Sequence, residues 1–217
     1  MHAQPWPALL LSQFILLGAA RADTGELTEA AYKSEGSVKG VVLLDVDLGR
    51  YGRCGGNETA QLRRISFNRM PLTEIKVDSP ADAEITGPYL PTAAPRGMRS
   101  YAFLLSPGEY AMTRISIRVT QSVSQVGQLE LGPEQLTPSG LAKAGSFRVS
   151  AGEVVYIGNF RIDCAPPMTL WRYYTEGRSN FAEHLSQYRQ SFPFLRLEEV
   201  QYRLFETKTI GAPYELK

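Results

Sequence analysis

The stretch that decides the fold reads Tyr101-Ala-Phe-Leu-Leu-Ser106-Pro107-Gly108-Glu-Tyr110-Ala-Met-Thr-Arg-Ile-Ser-Ile-Arg-Val119. Two runs rich in aromatic and β-branched residues, which strands favour, flank Ser106-Pro107-Gly108. Proline presets φ for the first central position of a turn, and glycine supplies the positive φ of the next. The pattern therefore predicts two strands joined as a β-hairpin.

Similar signals recur on both sides of this stretch. A second hairpin is predicted from Phe147 to Ile157, where Ser150-Ala151-Gly152-Glu153 separates two apolar runs. The period of two in its return strand predicts one shared face for Val154, Tyr156, Gly158, Phe160 and Ile162. Further β-rich runs lie at residues 62–70 and 72–77, and no helix-length periodic segment occurs between residues 38 and 163. At least six short strands predict a mainly β fold, an antiparallel β-sandwich at residues 37–165.

The first strand begins near Val38 and alternates clearly. Its period places Asp45 and Asp47 on the face opposite to that of Val42, Leu44, Val46 and Leu48. This predicts a half-buried outer strand with both aspartates on the wet side. Two carboxylates on one face would also suit glycoside hydrolysis or a hard cation, so a carboxylate-dependent hydrolase acting on a carbohydrate remains an alternative function.

Two segments are predicted to be loops. Residues 127–145 contain four glycines and two prolines, which favours a loop with one short edge strand from Leu129 to Leu131. The segment from Arg50 to Asn57 is a loop by its glycines.

The last part, residues 166–217, is predicted to be a helix-plus-strand extension packed on the sandwich. Pro166-Pro167 stops the preceding strand. A helix then follows, because apolar residues share one stripe of a 3.6-residue period: Phe181, Leu185, Tyr188 and Phe192. Asn180 with Glu183 resembles a capping box, and Pro193 ends the helix. Residues 200–207 alternate as a final strand.

An aromatic segment precedes this helix and is the candidate ligand-binding site. It consists of Trp171, Arg172, Tyr173 and Tyr174, and is predicted to be a loop. Aromatic rings beside a guanidinium suit stacking on sugars or peptides. The alternative is that Trp171 and Tyr173 only pin the helix to the sandwich.

The N-terminus predicts export. Residues 1–22 resemble a signal peptide, with a mostly apolar run from Ala8 to Ala20 and a small-residue pattern at Ala20-Arg21-Ala22. Cleavage near Ala22 would leave residues 23–36 as a mobile or short helical lead-in. No later segment has the length of a membrane span. The predicted location is the periplasm or the outside of the cell.

Cysteine usage agrees with an oxidising compartment. Cys54 and Cys164 are the smallest set that can pair, and they lack the C-x-x-C spacing or nearby histidine of a redox or metal site. The sequence therefore predicts a disulfide between Cys54 and Cys164.

The sequence gives little support for a catalytic, metal or cofactor site. Outside the leader the chain has one histidine, His184, which is predicted to lie on the solvated side of the helix. No G-x-S-x-G, H-E-x-x-H, phosphate-loop or dinucleotide pattern occurs, so neither a catalytic residue nor a metal or cofactor is predicted.

The distribution of charged residues does not identify a binding partner. The chain carries 23 basic and 22 acidic residues, and removal of Arg21 with the leader makes the two equal. Between residues 50 and 69 only Glu58 opposes a group of arginines, namely Arg50, Arg53, Arg63, Arg64 and Arg69. They could hold an anionic sugar, a lipid head group or nucleic acid. The balanced total favours a solvated, partly paired face and no nucleic-acid partner.

Two phrases resemble a known type of module. Leu105-Ser106-Pro107-Gly108-Glu109-Tyr110 is similar to the L-x-P-G-x-Y turn of prealbumin-like modules, the transthyretin-like and carboxypeptidase-regulatory-like sandwiches of exported bacterial proteins. The phrase from Phe147 to Gly158 is similar to one in uncharacterised bacterial envelope proteins. The resemblance covers about residues 100–163 and implies a fold and a compartment rather than an activity.

These observations predict an exported, non-catalytic binding or envelope accessory protein. Another envelope protein or a glycan would be its partner. A further alternative is a structural or adhesin-like subunit of an envelope assembly. Such a subunit should show an exposed apolar patch or an unpaired sheet edge.

Overall fold

The computed structural model describes residues 27–72, 80–87, 97–166, 168–173, 185–207 and 210. The predicted signal peptide, residues 1–22, therefore lies outside the described residues. The described part is mainly β and forms two sheets with largely antiparallel pairing, which confirms the predicted mainly β, antiparallel fold class. No helix among the described residues is both long and apolar enough to cross a membrane.

The strands are β1 (Gly40–Asp47), β2 (Arg50–Cys54), β3 (Asn57–Arg69), β4 (Ala83–Thr86), β5 (Met98–Leu105), β6 (Gly108–Ser122), β7 (Gln125–Leu131), β8 (Ser146–Val149), β9 (Val154–Asp163), β10 (Thr169–Tyr173) and β11 (Gln201–Tyr202). The helices are α1 (Glu29–Glu35), the single turn α2 (Pro133–Leu136) and α3, whose described residues are 185–191. Short 3₁₀ turns occupy Pro138–Gly140 and Leu197–Glu199.

The first sheet has the order β10-β9-β1-β5, with β11 also on β9. β1 pairs antiparallel with β5 but parallel with β9, and β11 is also parallel to β9. The sheet is therefore mixed, and β1 lies inside it instead of at an outer edge.

The second sheet has the order β2-β3-β6-β7, with β4 on β3 and β8 on β6. All of its pairs are antiparallel. The long strands β3 and β6 form its centre, and β7 forms one edge.

Both predicted hairpins are wrong in their pairing. β5 belongs to the first sheet and β6 to the second, so Ser106 and Pro107 carry the chain from one sheet to the other. The second predicted hairpin fails in the same way, because β8 belongs to the second sheet and β9 to the first. A turn signal specifies that the chain reverses, but it does not specify whether the two strands pair or face each other across a core.

The structure also corrects the loop predicted at residues 50–57. This segment contains β2 and a two-residue turn, Gly55-Gly56, that leads into β3. Both glycines have positive φ, 59° and 83°. Such a turn matches the twist of paired strands, so the glycines here mark a tight hairpin.

One buried cluster, the main core, receives side chains from both sheets. Among its larger members are Leu44, Val46, Leu62, Phe67, Met112, Phe147, Ile157 and Phe160. The ring of Phe67 lies edge-on to Phe147, Phe160 and Phe205, with centroids 5.4, 6.3 and 6.1 Å apart. Burial of these aromatic rings against one another fixes the two sheets together.

A second cluster, the outer core, covers the other face of the first sheet. It contains Leu27, Val41, Leu43, Ala102, Val154, Tyr156, Leu185, Tyr188, Phe192, Leu195, Leu197 and Val200. The predicted stripe of the C-terminal helix is confirmed for Leu185, Tyr188 and Phe192, while Phe181 lies outside the described residues. The first sheet is thus buried on both faces.

A bulge in β9 overturns the predicted shared face. The register with β1 shifts after Leu43 and Tyr156, so that Asp45 next pairs with Asn159. Gly158, at φ 108°, supplies the extra residue. As a result Val155, Ile157, Phe160 and Ile162 face the main core, and Val154 and Tyr156 face the outer core.

The final strand is shorter than predicted. Regular pairing covers only β11, and a single bridge joins Glu206 to Ser146. The intervening Phe205 is fully buried in the main core, and its amide donates to the Ile157 carbonyl at 3.0 Å. The chain leaves the sheet because Phe205 packs between the two layers.

The predicted disulfide is confirmed. Cys54 and Cys164 are bonded, with Cα atoms 4.4 Å apart. Cys54 ends β2 in the second sheet, and Cys164 directly follows β9 in the first. The bond therefore links the two sheets.

Candidate functional site

An apolar groove of about 460 Å³ opens where the β7 edge of the second sheet meets the β10 edge of the first. Its apolar lining includes Leu129 and Leu131 of β7, Ile115 and Ile117 of β6 and Leu170 of β10, and its polar lining consists of Glu130, Gln135 and Lys143. We call this cavity the β7 groove. Its lining is the kind that binds apolar groups.

The position of β7 explains why the groove is open. Leu129 pairs with Ile117 and Leu131 with Ile115, so these leucines point to the same side as the main-core residues of β6. Nevertheless 47% of Leu129 and 43% of Leu131 remain exposed, because β7 extends past the cover of the first sheet. A short edge strand at residues 129–131 was expected, and the observed strand is seven residues long.

The outer edge of β7 carries no partner strand within the described ranges, where β7 pairs with β6 alone. Natural edge strands are commonly protected by Lys, Pro or bulges. The sequence of β7, Gln-Val-Gly-Gln-Leu-Glu-Leu, contains neither Lys nor Pro. Among the described residues, none pairs with the outward backbone N–H and C=O groups of β7.

Glu130 is the single charged residue of β7, and it lies on the face opposite to Leu129 and Leu131. Its carboxylate accepts a hydrogen bond from the Ser116 hydroxyl at 2.8 Å and another from the Gln128 amide. No Lys or Arg nitrogen of the described residues forms an ion pair with it. The β7 edge thus offers a carboxylate beside an apolar groove.

The predicted aromatic site, residues 171–174, directly follows Leu170, which lines the β7 groove. Residues 171–173 are part of β10 and pair with Arg161, Phe160 and Asn159 of β9, so the predicted loop is wrong for them. Local aromatic composition did not reveal this pairing, which depends on β9. The side chains of Trp171, Arg172 and Tyr173, and all of Tyr174, lie outside the described residues, and their binding role stays a prediction.

Asp45 does not lie on a wet face as predicted. It is fully buried, and its two oxygens accept hydrogen bonds from the Ser100 hydroxyl at 2.6 Å and the Tyr188 hydroxyl at 2.9 Å. Complete burial, followed by the neighbouring Asp45 charge, raises the pKa of Tyr188 well above its ordinary value. The prediction failed because α3 covers this face.

Asp47 is separate from this cluster. It is half-buried and accepts hydrogen bonds from the Gly49 amide and the Tyr51 hydroxyl, both at 2.7 Å. The two aspartates therefore have different environments and do not form a paired-carboxylate site. A polar cleft of about 330 Å³ reaches Ser100 from outside, but the Asp45 carboxylate behind it is closed off.

The arginines between residues 50 and 69 do not converge on one anion site. Arg53 lies next to the β2–β3 turn, whereas Arg69 is the last residue of β3, at the other end of that strand. At the usual strand rise, the thirteen residues of β3 span about 40 Å. Arg64 lies 3.7 Å from Glu84, which fits the predicted partly paired face.

Within the described residues, no group of three His, Cys, Asp or Glu side chains could hold a metal ion. A larger cleft of about 790 Å³ lies between α1 and the turn before β9. Its rim contains Glu153, which is engaged by Arg203 through two hydrogen bonds of 2.6 and 2.8 Å. This cleft is polar and already internally paired.

Two features of the structure were not predicted from the sequence, namely the open groove and the burial of Asp45. The open groove depends on the relative position of two sheets, for which the only local signal was the alternation of Leu129 and Leu131. The burial of Asp45 had a clearer signal, because Val41 and Leu43 share its face and indicate a strand buried on both sides.

Comparison with known proteins finds no counterpart: no family model, curated protein or solved structure matches this chain. Its site is therefore interpreted from geometry alone.

Proposed function

We propose that this chain is a non-catalytic binding protein of the bacterial envelope, and that the β7 groove holds its partner. The observation that carries the proposal is the coincidence of an apolar groove with an unpaired strand edge. Either feature alone is common on protein surfaces, but together they offer both apolar contacts and backbone hydrogen bonds to one occupant.

The exposed apolar side chains are concentrated at this place. Among the described residues, the large hydrophobic side chains exposed on the β6–β7 hairpin are Val123, Val126, Leu129 and Leu131. Scattered exposed hydrophobic residues need no explanation, whereas a contiguous group favours an interaction site. Leu129 and Leu131 lie together on the groove side of β7, whereas Val126 lies on the opposite face, so the two leucines form the apolar part of the binding element.

The envelope location rests on separate observations. The Cys54–Cys164 disulfide supports an oxidising compartment. The signal-like pattern of residues 1–22 and the resemblance to exported bacterial modules support the same compartment. The disulfide is compatible with either the periplasm or the outside of the cell.

A structural or adhesin-like subunit is a second candidate, and the unpaired β7 edge specifically favours it. The two candidate functions differ in the lifetime of the complex with the partner. A binding protein releases its partner, whereas a structural subunit stays assembled with it. The hydrolase alternative gains no support from Asp45, since both of its oxygens accept internal hydrogen bonds in a fully buried position.

Binding of the apolar fluorophore ANS by the full chain tests the proposal. Replacement of Leu129 by Lys places a charge in the groove and should weaken ANS binding about tenfold. Val126→Lys is the matched control, because Val126 lies on the same strand with similar exposure, 52%, but on the opposite face. Equal ANS affinity in the two variants would contradict a binding role for the groove.

A further inference from the structure

We propose that the occupant of the β7 groove is an extended strand of another protein, with apolar residues at alternate positions and a Lys or Arg facing Glu130. The inference rests on the proposed function and names the chemistry of the partner. It treats the edge, the groove and the carboxylate as three parts of one recognition surface.

The backbone of β7 supplies the first part of the argument. Every second residue of an edge strand directs both its N–H and its C=O outward, and a further strand satisfies these groups by pairing. A compact small molecule would leave most of these groups to water. Seven residues of β7 offer a pairing length typical of strands in globular proteins.

The groove supplies the second part. Successive side chains of a strand point to opposite faces, so every second residue of an added strand would point to the side of Leu129 and Leu131. Those residues would pack against the exposed faces of Leu129 and Leu131, on the groove side of β7. An alternating apolar sequence is therefore required on that face.

Charge complementarity supplies the third part and selects the kind of partner. Glu130 lies on the outward face of β7, where a cross-strand Lys or Arg would be a favourable neighbour. A second copy of this chain, pairing through its own β7, would bring no cation, because that strand has no basic residue. Because no Lys or Arg of the described residues forms an ion pair with Glu130, a different, basic strand is favoured over self-pairing.

A synthetic peptide of about nine residues provides the probe, with valine at alternate positions, threonine between them and lysine at the centre. Titration into the full chain, followed by calorimetry, should show saturable binding. A peptide with the same side chains but N-methylated at alternate amides cannot complete the ladder and should bind about tenfold more weakly. Equal affinity for the two peptides would overturn strand pairing.

Charge reversal tests the contact with Glu130. Glu130→Lys should weaken binding of the lysine peptide about fivefold, and a peptide with glutamate at the centre should recover that loss. A loss that the reversed peptide does not recover contradicts the proposed pair. Val38→Lys is the control for an added charge away from β7, because Val38 is 63% exposed and precedes β1, and circular dichroism checks that each variant folds.

The results separate this inference from the proposed function. If Leu129→Lys weakens ANS but both peptides bind equally, the groove binds ligands and the strand inference is wrong. If Leu129→Lys changes neither ANS nor peptide binding, the proposed function fails as well. Peptide binding that appears only after removal of residues 211–217, or a dimer that Leu129→Lys dissociates, would identify the chain itself as occupant and overturn the inference.

Discussion

The Asp45 carboxylate accepts hydrogen bonds from two different elements, Ser100 of β5 and Tyr188 of α3. A buried charge without such partners would be strongly destabilising. The Tyr188 ring also lies edge-on to Tyr156, with centroids 6.2 Å apart, and the Tyr156 hydroxyl donates to Asn159 at 2.9 Å. This polar group inside the outer core fixes the position of α3 on the first sheet.

Removal of the Tyr188 hydroxyl tests that role. Tyr188→Phe keeps the ring but takes one donor from buried Asp45, so we expect the free energy of unfolding to fall by about 1–3 kcal/mol. Urea denaturation followed by circular dichroism measures the loss. Tyr32→Phe is the control, because half-buried Tyr32 packs on Phe194 at 5.8 Å and makes no side-chain hydrogen bond within the described part of the chain. Equal stability of both variants would show that the Asp45 contact contributes little.

The turn between β8 and β9 anchors the C-terminal tail, the segment that follows β11. Arg203 donates two hydrogen bonds to the Glu153 carboxylate and a third, at 3.1 Å, to the Arg148 carbonyl. The hydrogen bond from Arg203 is the largest influence that lowers the pKa of Glu153. The same bond raises the pKa of Arg203. The tail is thus attached to the turn by a charge pair whose strength depends on pH.

Acid should weaken this attachment. Because the pKa of Glu153 is lower in the folded chain than its ordinary 4.5, its contribution is complete above that pH. The contribution is lost as pH falls through the lowered value. Glu153→Gln should therefore reduce the free energy of unfolding by about 1 kcal/mol at neutral pH and by less near pH 3.

Urea unfolding of wild type and Glu153→Gln at the two pH values measures the difference. Glu29→Gln is the control, since its ion pair with Lys33 is largely exposed and should contribute little at either pH. A Glu153 effect that stays constant with pH would mean that the glutamate acts through packing instead of charge.

Tyr110 shows how one element connects the two sheets. Its hydroxyl donates to the Ser106 carbonyl four residues earlier at 2.7 Å, and its ring stacks on Phe147 at 5.5 Å. This arrangement resembles the tyrosine corner of β-sandwiches, in which the tyrosine fixes a strand that changes sheets. The L-S-P-G-E-Y phrase therefore specifies a crossover between layers.

For the whole molecule, the disulfide is the covalent link between the two sheets. Cys54 and Cys164 are separated by 110 residues, and the chain-entropy model assigns a loop of about that length roughly 4.7 kcal/mol. The apolar contacts of the main core act between the same two layers. The bond and the core should therefore stabilise the same arrangement.

Replacing both Cys54 and Cys164 by Ala should lower the free energy of unfolding by about 2–5 kcal/mol. Guanidinium unfolding with and without reductant gives an internal control, because reductant should destabilise the wild type and leave the double variant unchanged. A wild type that reductant does not affect, although its thiols become free, would contradict a stabilising role for this bond.

The sequence by itself determined most of the strands, the disulfide and the amphipathic face of the last helix. These follow from alternation, cysteine number and a 3.6-residue stripe, which are properties of neighbouring residues. The tertiary structure alone decided which strands pair, as the crossover at Ser106-Pro107 shows, and which polar groups are buried, as Asp45 shows. It also decided that the β7 groove stays open. Local patterns record that a side chain points to one side of a strand, but only the packing of distant segments determines what, if anything, covers that side.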